Sequence, residues 1–147
     1  MPLDTPGNSY NFRLDIGGEI VGVFTDVTPP AARVETIEYR EGGGAPAVRV
    51  LPGRVSYAPV VLRWGFGLSP ILWTWMQASI AGRAEYKDIA LITMGNDGEA
   101  QTGRFNMFRC LPAAFAMSEL SALSQSVAIE TLEIRYENLE RVFASAS

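Results

Sequence analysis

The sequence predicts a mainly β fold, a small barrel or sandwich of about seven to nine strands with one flanking helix. Apolar and polar residues alternate with period two near both ends of the chain, as half-buried strands do. Glycine, proline and asparagine breaks recur between short apolar runs, the punctuation of hairpins. One uncharged stretch carries helix start and stop signals. A length of 147 residues suits a single domain spanning 1–147 with room for a real core.

The first strand is marked by Tyr10, Phe12, Leu14 and Ile16 alternating with Asn11, Arg13 and Asp15. Gly17-Gly18 suits a two-residue hairpin turn, and Glu19 to Thr25 returns as the second strand. Pro29-Pro30 breaks the sheet before a third strand, Arg33 to Glu41. After a glycine-rich loop, Val48 to Leu51 and Val55 to Trp64 read as extended, and Pro59 inside the latter predicts an edge position or a bulge. Ser69 as N-cap, Pro70 at the first helical position and Gly82 just past the end predict a helix over 70–81. Its stripe of Ile71, Leu72, Trp75, Met76, Ser79 and Ile80 is expected to pack across the outside of the sheet. Trp73 falls off the stripe and has two readings, contact with a neighbouring subunit or the rim of the core.

Lys87 to Met94 reads as an apolar strand, Asn96-Asp97-Gly98 as a hairpin turn and Thr102 to Cys110 as its partner strand. Pro112 interrupts, with a further short strand expected at Ala113 to Met117. Val127 to Asn138 is the last long element, and the tail after Arg141 is expected to fray.

Composition removes several function classes. A net charge of −4 lacks the basic footprint of polyanion binding. With no histidine, Ser–His and Cys–His catalysis are excluded, and the commonest metal ligand is missing. The one cysteine, Cys110, cannot form an intrachain disulfide and reads as a buried thiol. Hydrophobic residues make up 48% of the chain and charged ones 19%, which argues against disorder and leans towards a surface buried by oligomerisation, although a β-rich core gives the same count. Eleven arginines stand against one lysine, which fits both semi-buried interface pairs and a GC-rich genome.

The N-terminus lacks the basic region and apolar core of a signal peptide, so assembly in the cytoplasm is expected. Trp64 to Gly82 carries no charge until Arg83, but its helical part would span only about 18 Å. A bilayer core needs roughly 30 Å.

No motif points to chemistry. Asn96-Asp97-Gly98-Glu99 lacks the spaced ligands of a calcium loop and reads as a turn. Glu38 and Glu41 have no nucleophile or orienting partner to make them an acid–base pair. Gly42-Gly43-Gly44 lacks the spacing and the strand–loop–helix context of a phosphate loop. Trp64, Trp73 and Trp75 read as core aromatics before they read as a ligand box. No catalytic, cofactor-binding or metal-ligating residue is therefore assigned.

What stands out is the stretch Ile37 to Arg54, IEYREGGGAPAVRVLPGR. Two β-type segments flank a glycine-rich, proline-containing loop, forming a long hairpin or arm. Charges fall on both of its faces: Glu35 with Ile37 and Tyr39, Glu38 and Arg40 with Val34. A strand with one face in a core and one in water does not look like this.

This arm, in order with N-F-R-L-D-I at Asn11 to Ile16, V-G-V-F-T-D-V at Val21 to Val27, V-E-T-I-E-Y-R-E-G-G at Val34 to Gly43, V-R-V-L-P-G-R at Val48 to Arg54, L-R-W-G at Leu62 to Gly65 and L-W-T-W at Leu72 to Trp75, resembles the tail tube proteins of contractile phages and phage-like injection systems. The closing E-I-R-Y-E-N-L at Glu133 to Leu139 extends the likeness. The chain departs from the pattern at Pro29-Pro30 and at its glycine-alanine loop tip.

The resemblance implies a non-enzymatic structural protein without cofactors. Its copies form hexameric rings that stack into a hollow tube. A contractile sheath drives the tube through a target envelope, and cargo (effector protein, tape measure or DNA) passes through the lumen. Further partners would be baseplate and tail-terminator proteins, in a phage tail or an extracellular or cell-anchored particle. The fold would be related to the tube protein of type VI secretion. Glu38, Tyr39, Arg40, Glu41, Gly42, Gly43, Gly44, Arg49, Leu51, Pro52, Gly53, Arg54 and Trp73 are the expected subunit and ring-stacking contacts. A tube-initiating or tube-terminating ring is the alternative within the family, and a small-ligand-binding barrel is the alternative outside it.

Overall fold

A computed structural model describes residues 12–24, 26–40, 42, 47–65, 70–95, 101–118 and 129–143. Among these, the elements in chain order are β1 (Phe12–Ile16), β2 (Glu19–Phe24), β3 (Asp26–Thr28), β4 (Ala31–Arg40), β5 (Val48–Ala58), β6 (Val60–Gly65), α1 (Ile71–Ile80), β7 (Lys87–Met94), β8 (Gln101–Met117), β9 (Ile129–Arg135) and β10 (Asn138–Phe143). Tyr10, Asn11, the Ser69 cap, the turn at 96–98 and Val127 lie outside the described residues.

The chain is mainly β with one helix. Eight strands run in the order β2-β1-β7-β8-β9-β6-β3, with β10 added on β8, while β4 and β5 pair only with each other. All of these pairings are antiparallel. The arrangement is two layers sharing one strand. The first half of β8 lies between β7 and β10, and its second half pairs with β9. Leu14, Leu91 and Met107 from the first layer meet Leu62, Leu132 and Ile134 from the second in one buried cluster.

β8 turns the corner at Arg109, whose φ of 53° is in the left-handed region that side chains disfavour. The bend is held locally. The Arg109 backbone N–H donates to Asp88 Oδ1 (3.0 Å), and its guanidinium Nε donates to Glu137 Oε1 (3.1 Å). The same guanidinium lies 3.9 Å from the centroid of the Tyr86 ring. The facing strand bends at the same place. β9 ends at Arg135 and β10 starts at Asn138, while the Glu137 N–H donates to the Phe108 carbonyl.

Several expected boundaries shift for identifiable reasons. The strand expected to stop at Pro112 runs on as β8 to Met117, because the register slips between Pro112 and Ala114 and removes the need for a proline N–H. The breaks expected at Pro52-Gly53 and inside 55–64 exchange roles: β5 passes through Pro52, and Pro59 separates β5 from β6. The element expected over 127–138 divides at Tyr136-Glu137, and the tail expected to fray after Arg141 continues as strand to Phe143. The third strand starts at Ala31, directly after the two prolines.

Local chemistry accounts for the turn and the helix. Gly17 (φ 64°) and Gly18 (φ 90°) take the positive φ of a tight hairpin, and Gly18 N–H donates to Asp15 Oδ1. The helix starts at Ile71 rather than Pro70, with Pro70 as cap and its carbonyl accepting from Thr74 N–H. At the far end Gly82 (φ 81°) closes a Schellman turn: its N–H donates to Ser79, and Arg83 N–H to Ala78. The buried part of the stripe is narrower than its spacing suggests. Leu72 and Trp75 enter the core, whereas Ile71 and Ile80 stay exposed. Trp75 keeps its indole N–H satisfied on the Glu85 carbonyl at 2.7 Å.

Cys110 is fully buried in this core, and desolvation pushes its thiol up to about 12. The native thiol is therefore expected to resist an aromatic disulfide reagent at pH 8 and to react fully in denaturant. The unfolded thiol ionises near 9.0, so the protonated native form contributes stability below that pH and loses it as pH rises towards about 12. The stability of the wild type relative to Cys110→Ala should shrink across this window, as read by urea denaturation.

Candidate assembly surface

The β4–β5 ribbon is built unlike the rest of the molecule. Every residue of β4 is exposed, and β5 has only Gly53 and Tyr57 partly covered. Among the described residues neither strand joins the ladder of a strand of the body. Its large apolar side chains, Val34, Ile37, Tyr39, Val48, Val50, Leu51 and Val55, are all exposed, Val50 at 63%.

The register sorts these side chains. Near the tip, Ile37 faces Leu51, and Tyr39 faces Arg49 on one side; Glu38 faces Val50, and Arg40 faces Val48 on the other. The pairing then slips: Val34 faces Val55 while Thr36 faces Pro52. Glu35 thus stands opposite two residues, Gly53 and Arg54, a bulge that changes the phase of β5. Without it, Val55 and Tyr57 would fall on the face of Leu51. With it, they join Val34, Val48 and Val50, so one face is rich in valine from root to tip. The other face carries Arg33, Glu35 and Ser56 beside Ile37 and Leu51. Charges occur on both faces, as the sequence pattern requires.

Gly53 is where the bulge leaves no room. A Cβ there would meet the Glu35 carbonyl oxygen at 3.2 Å, Glu35 Oε1 at 3.0 Å and Ile37 Cδ1 at 3.2 Å. Backbone cannot retreat as a side chain can, which gives the L-P-G motif a steric reason. Gly42 is in a turn with nothing within 4 Å of its notional Cβ. Glu41, Gly43 and Gly44 lie outside the described residues.

The expected contact residues therefore form two patches. Glu38, Tyr39, Arg40, Gly42, Arg49, Leu51, Pro52, Gly53 and Arg54 share the ribbon. Trp73 is on α1, which packs on β8; its ring is 43% exposed and lies 4.9 Å from that of Phe115. It is a rim residue with one open side. A groove of about 560 Å³ runs beside it, lined by Gln77, Arg83 and Lys87 among others. This groove is on the surface, whereas a small-ligand barrel would hold its cavity inside the sheet.

Two further features escaped the sequence pattern. Among the described residues the first layer ends in two strands with unpaired outer edges, β2 and β10, each six residues long. Ile20 and Val23 on β2 and Val142 and Phe143 on β10 are exposed, Phe143 at 68%. The face of that layer turned away from the core carries Arg13, Asp15, Arg104, Asn106 and Glu140, with Arg104 Nε donating to Asn106 Oδ1 and Asn106 Nδ2 to Glu140 Oε1. That β2 and β10 are edges follows only from the pairing order. Among the described residues no three acidic, cysteine or histidine side chains gather as a metal site.

Residues 8–140 match the family described as T4-like virus tail tube protein gp19. The chain belongs to the tail tube family. As a tail tube protein it is a structural tube subunit. No curated protein matches it by sequence. Solved structures share its fold. A chain in the sheath–tube complex of an extracellular contractile injection system, PVC, is 22% identical with a TM-score of 0.77, over 97% of this chain and 93% of that one. A chain in the tube-terminating cap of the anti-feeding prophage is 23% identical with a TM-score of 0.78, over 98% and 95%. Hcp1 from Flavobacterium johnsoniae is 13% identical with a TM-score of 0.54, over 89% and 94%.

At the bulge in the ribbon of this tail tube protein, Gly53 sits directly against Glu35 and Ile37. Gly53→Val should therefore open the ribbon locally. Hydrogen exchange is expected to speed up about tenfold or more across 33–40 and 48–56, given the strain of overpacking. Residues 87–94 should be unchanged. Equal protection in both proteins would show that the bulge tolerates a side chain.

Proposed function

We propose that copies of this protein close into hexameric rings that stack as the main inner tube, with the β4–β5 ribbon as the principal contact between copies. The observation that carries this is the ribbon itself: it leaves apolar side chains exposed on both faces. Covering half-exposed valines, leucines and isoleucines stabilises a complex by on the order of 1 kcal/mol each. The charges then set register and specificity. Residues 31–58 hold four arginines and three glutamates, a small positive excess in a chain of net charge −4, which suits docking on another copy.

The open edges support the same reading. The five strands β2-β1-β7-β8-β10 alternate in direction, so β2 and β10 run the same way. Joining them head to tail from copy to copy makes a heterologous contact that removes both edges when a ring closes. The second layer and α1 lie on the core side, so such a ring turns the face bearing Arg13, Asp15, Arg104, Asn106 and Glu140 to the bore. Rings assemble in the cytoplasm, and a contractile sheath, a baseplate and a terminator complete the particle. Cargo crosses the bore, and the protein itself performs no catalysis. Among the described residues no helix is long and apolar enough to cross a membrane.

Electron microscopy of the purified protein should show rings or tubes. Arg40→Glu and Gly43→Trp should each leave the melting temperature within a few degrees of wild type and abolish tubes. Normal stacking with both changes would reduce the ribbon to a local hairpin.

A further inference from the structure

We propose that Tyr136 is the positioning residue of the ribbon, a phenol latch that sets the angle at which β4–β5 leaves the body. The part of this that concerns assembly rests on the reading above; the latch itself does not.

The ribbon's root is the pair Ala31 and Ala58, placed between Pro30 and Pro59. Neither proline has an N–H to extend the pairing. Tyr136 reaches this pair from the corner between β9 and β10, where it is 8% exposed. Its hydroxyl donates to the Ala58 carbonyl at 2.5 Å and accepts from the Ala31 N–H at 3.3 Å, so one oxygen ties both strands. The Ala31 carbonyl lies at 3.3 Å as an alternative acceptor. From the ribbon side, Tyr57 packs its ring 5.3 Å from that of Tyr136 and donates its hydroxyl to Asn138 Oδ1 at 3.3 Å.

Tyr57 is the ribbon side chain that packs against the core cluster among the described residues. Tyr136 itself cannot drift, because its neighbour Glu137 is fastened to Phe108 through its backbone and to Arg109 through its carboxylate.

Leverage makes this grip matter. Ten residues of strand extend about 30 Å at roughly 3.3 Å each. About 10° of play at the root would move the tip by roughly 5 Å, more than the width of a hydrogen bond. A latched root removes that freedom before docking, so less ordering is left to oppose association.

The test is Tyr136→Phe, which keeps the ring and its packing and removes only the hydroxyl. In unassembled protein at low concentration, hydrogen exchange at 31–34 and 55–58 should rise about five- to tenfold, the size of one lost hydrogen bond. Residues 89–92 and 105–107 should not change. The concentration at which tubes first form should rise by a similar factor. In the wild type, the Ala31 amide should exchange more slowly than those of Glu38 to Arg40; equal rates there would overturn the latch even if the variant failed to fold. Unchanged exchange at the root in a folded variant would overturn it too. A loosened root with tubes forming at the wild-type concentration would overturn its role in assembly. Arg40→Glu, tested in parallel, reports separately on whether the ribbon is an interface at all.

Discussion

Everything in this fold hangs on one strand serving two sheets. β8 pairs with β7 and β10 before its corner and with β9 after it, so the two layers are covalently one surface folded over a shared core. The bend costs Arg109 an unfavourable left-handed backbone. That cost is tolerated because Asp88, Glu137 and Tyr86 surround the same residue. The exposed Arg109–Glu137 pair contributes little by itself. Its value is geometric: it ties the corner of β8 to that of β9–β10, and so fixes where Tyr136 stands.

From that corner the molecule divides its labour. The body buries Leu14, Leu91, Met107, Leu62 and Leu132 in a core of its own. The ribbon buries almost nothing within the chain, and a two-stranded ribbon is at best marginally stable alone in water. In the proposed assembly, the surfaces of neighbouring copies take the place of a core. This is why the features that look poorly sorted in a monomer, valines in the open and charges on both faces, fit a protein whose stable form is an assembly.

The sequence read well wherever a signal was local. Period-two alternation located β1, the glycine pair its turn, and Gly82 the end of α1. The ordered motifs around the ribbon carried the family. Reading failed where a residue's consequence depended on its partner strand. Pro112 and Pro52 looked like stops and are tolerated at register slips; Pro59 looked internal and is a stop. The split at Tyr136-Glu137 has no local signature, since Tyr136 continues the alternation of Leu132 and Ile134 while the chain turns from one layer to the other.

By itself, then, the sequence determined the strand-rich class, the helix, the absence of a histidine-based site, and a ribbon with both faces unsuited to a monomer's core or to water. These follow from short-range sterics and from the count of residue types, which need no partner to act. The tertiary structure alone decided which strands became edges, which valines share a face, and that Tyr136 closes on Ala31 and Ala58, 105 and 78 residues away. Those outcomes depend on the order in which strands pair. Pairing order is set by the whole core packing at once, so it cannot be read one segment at a time.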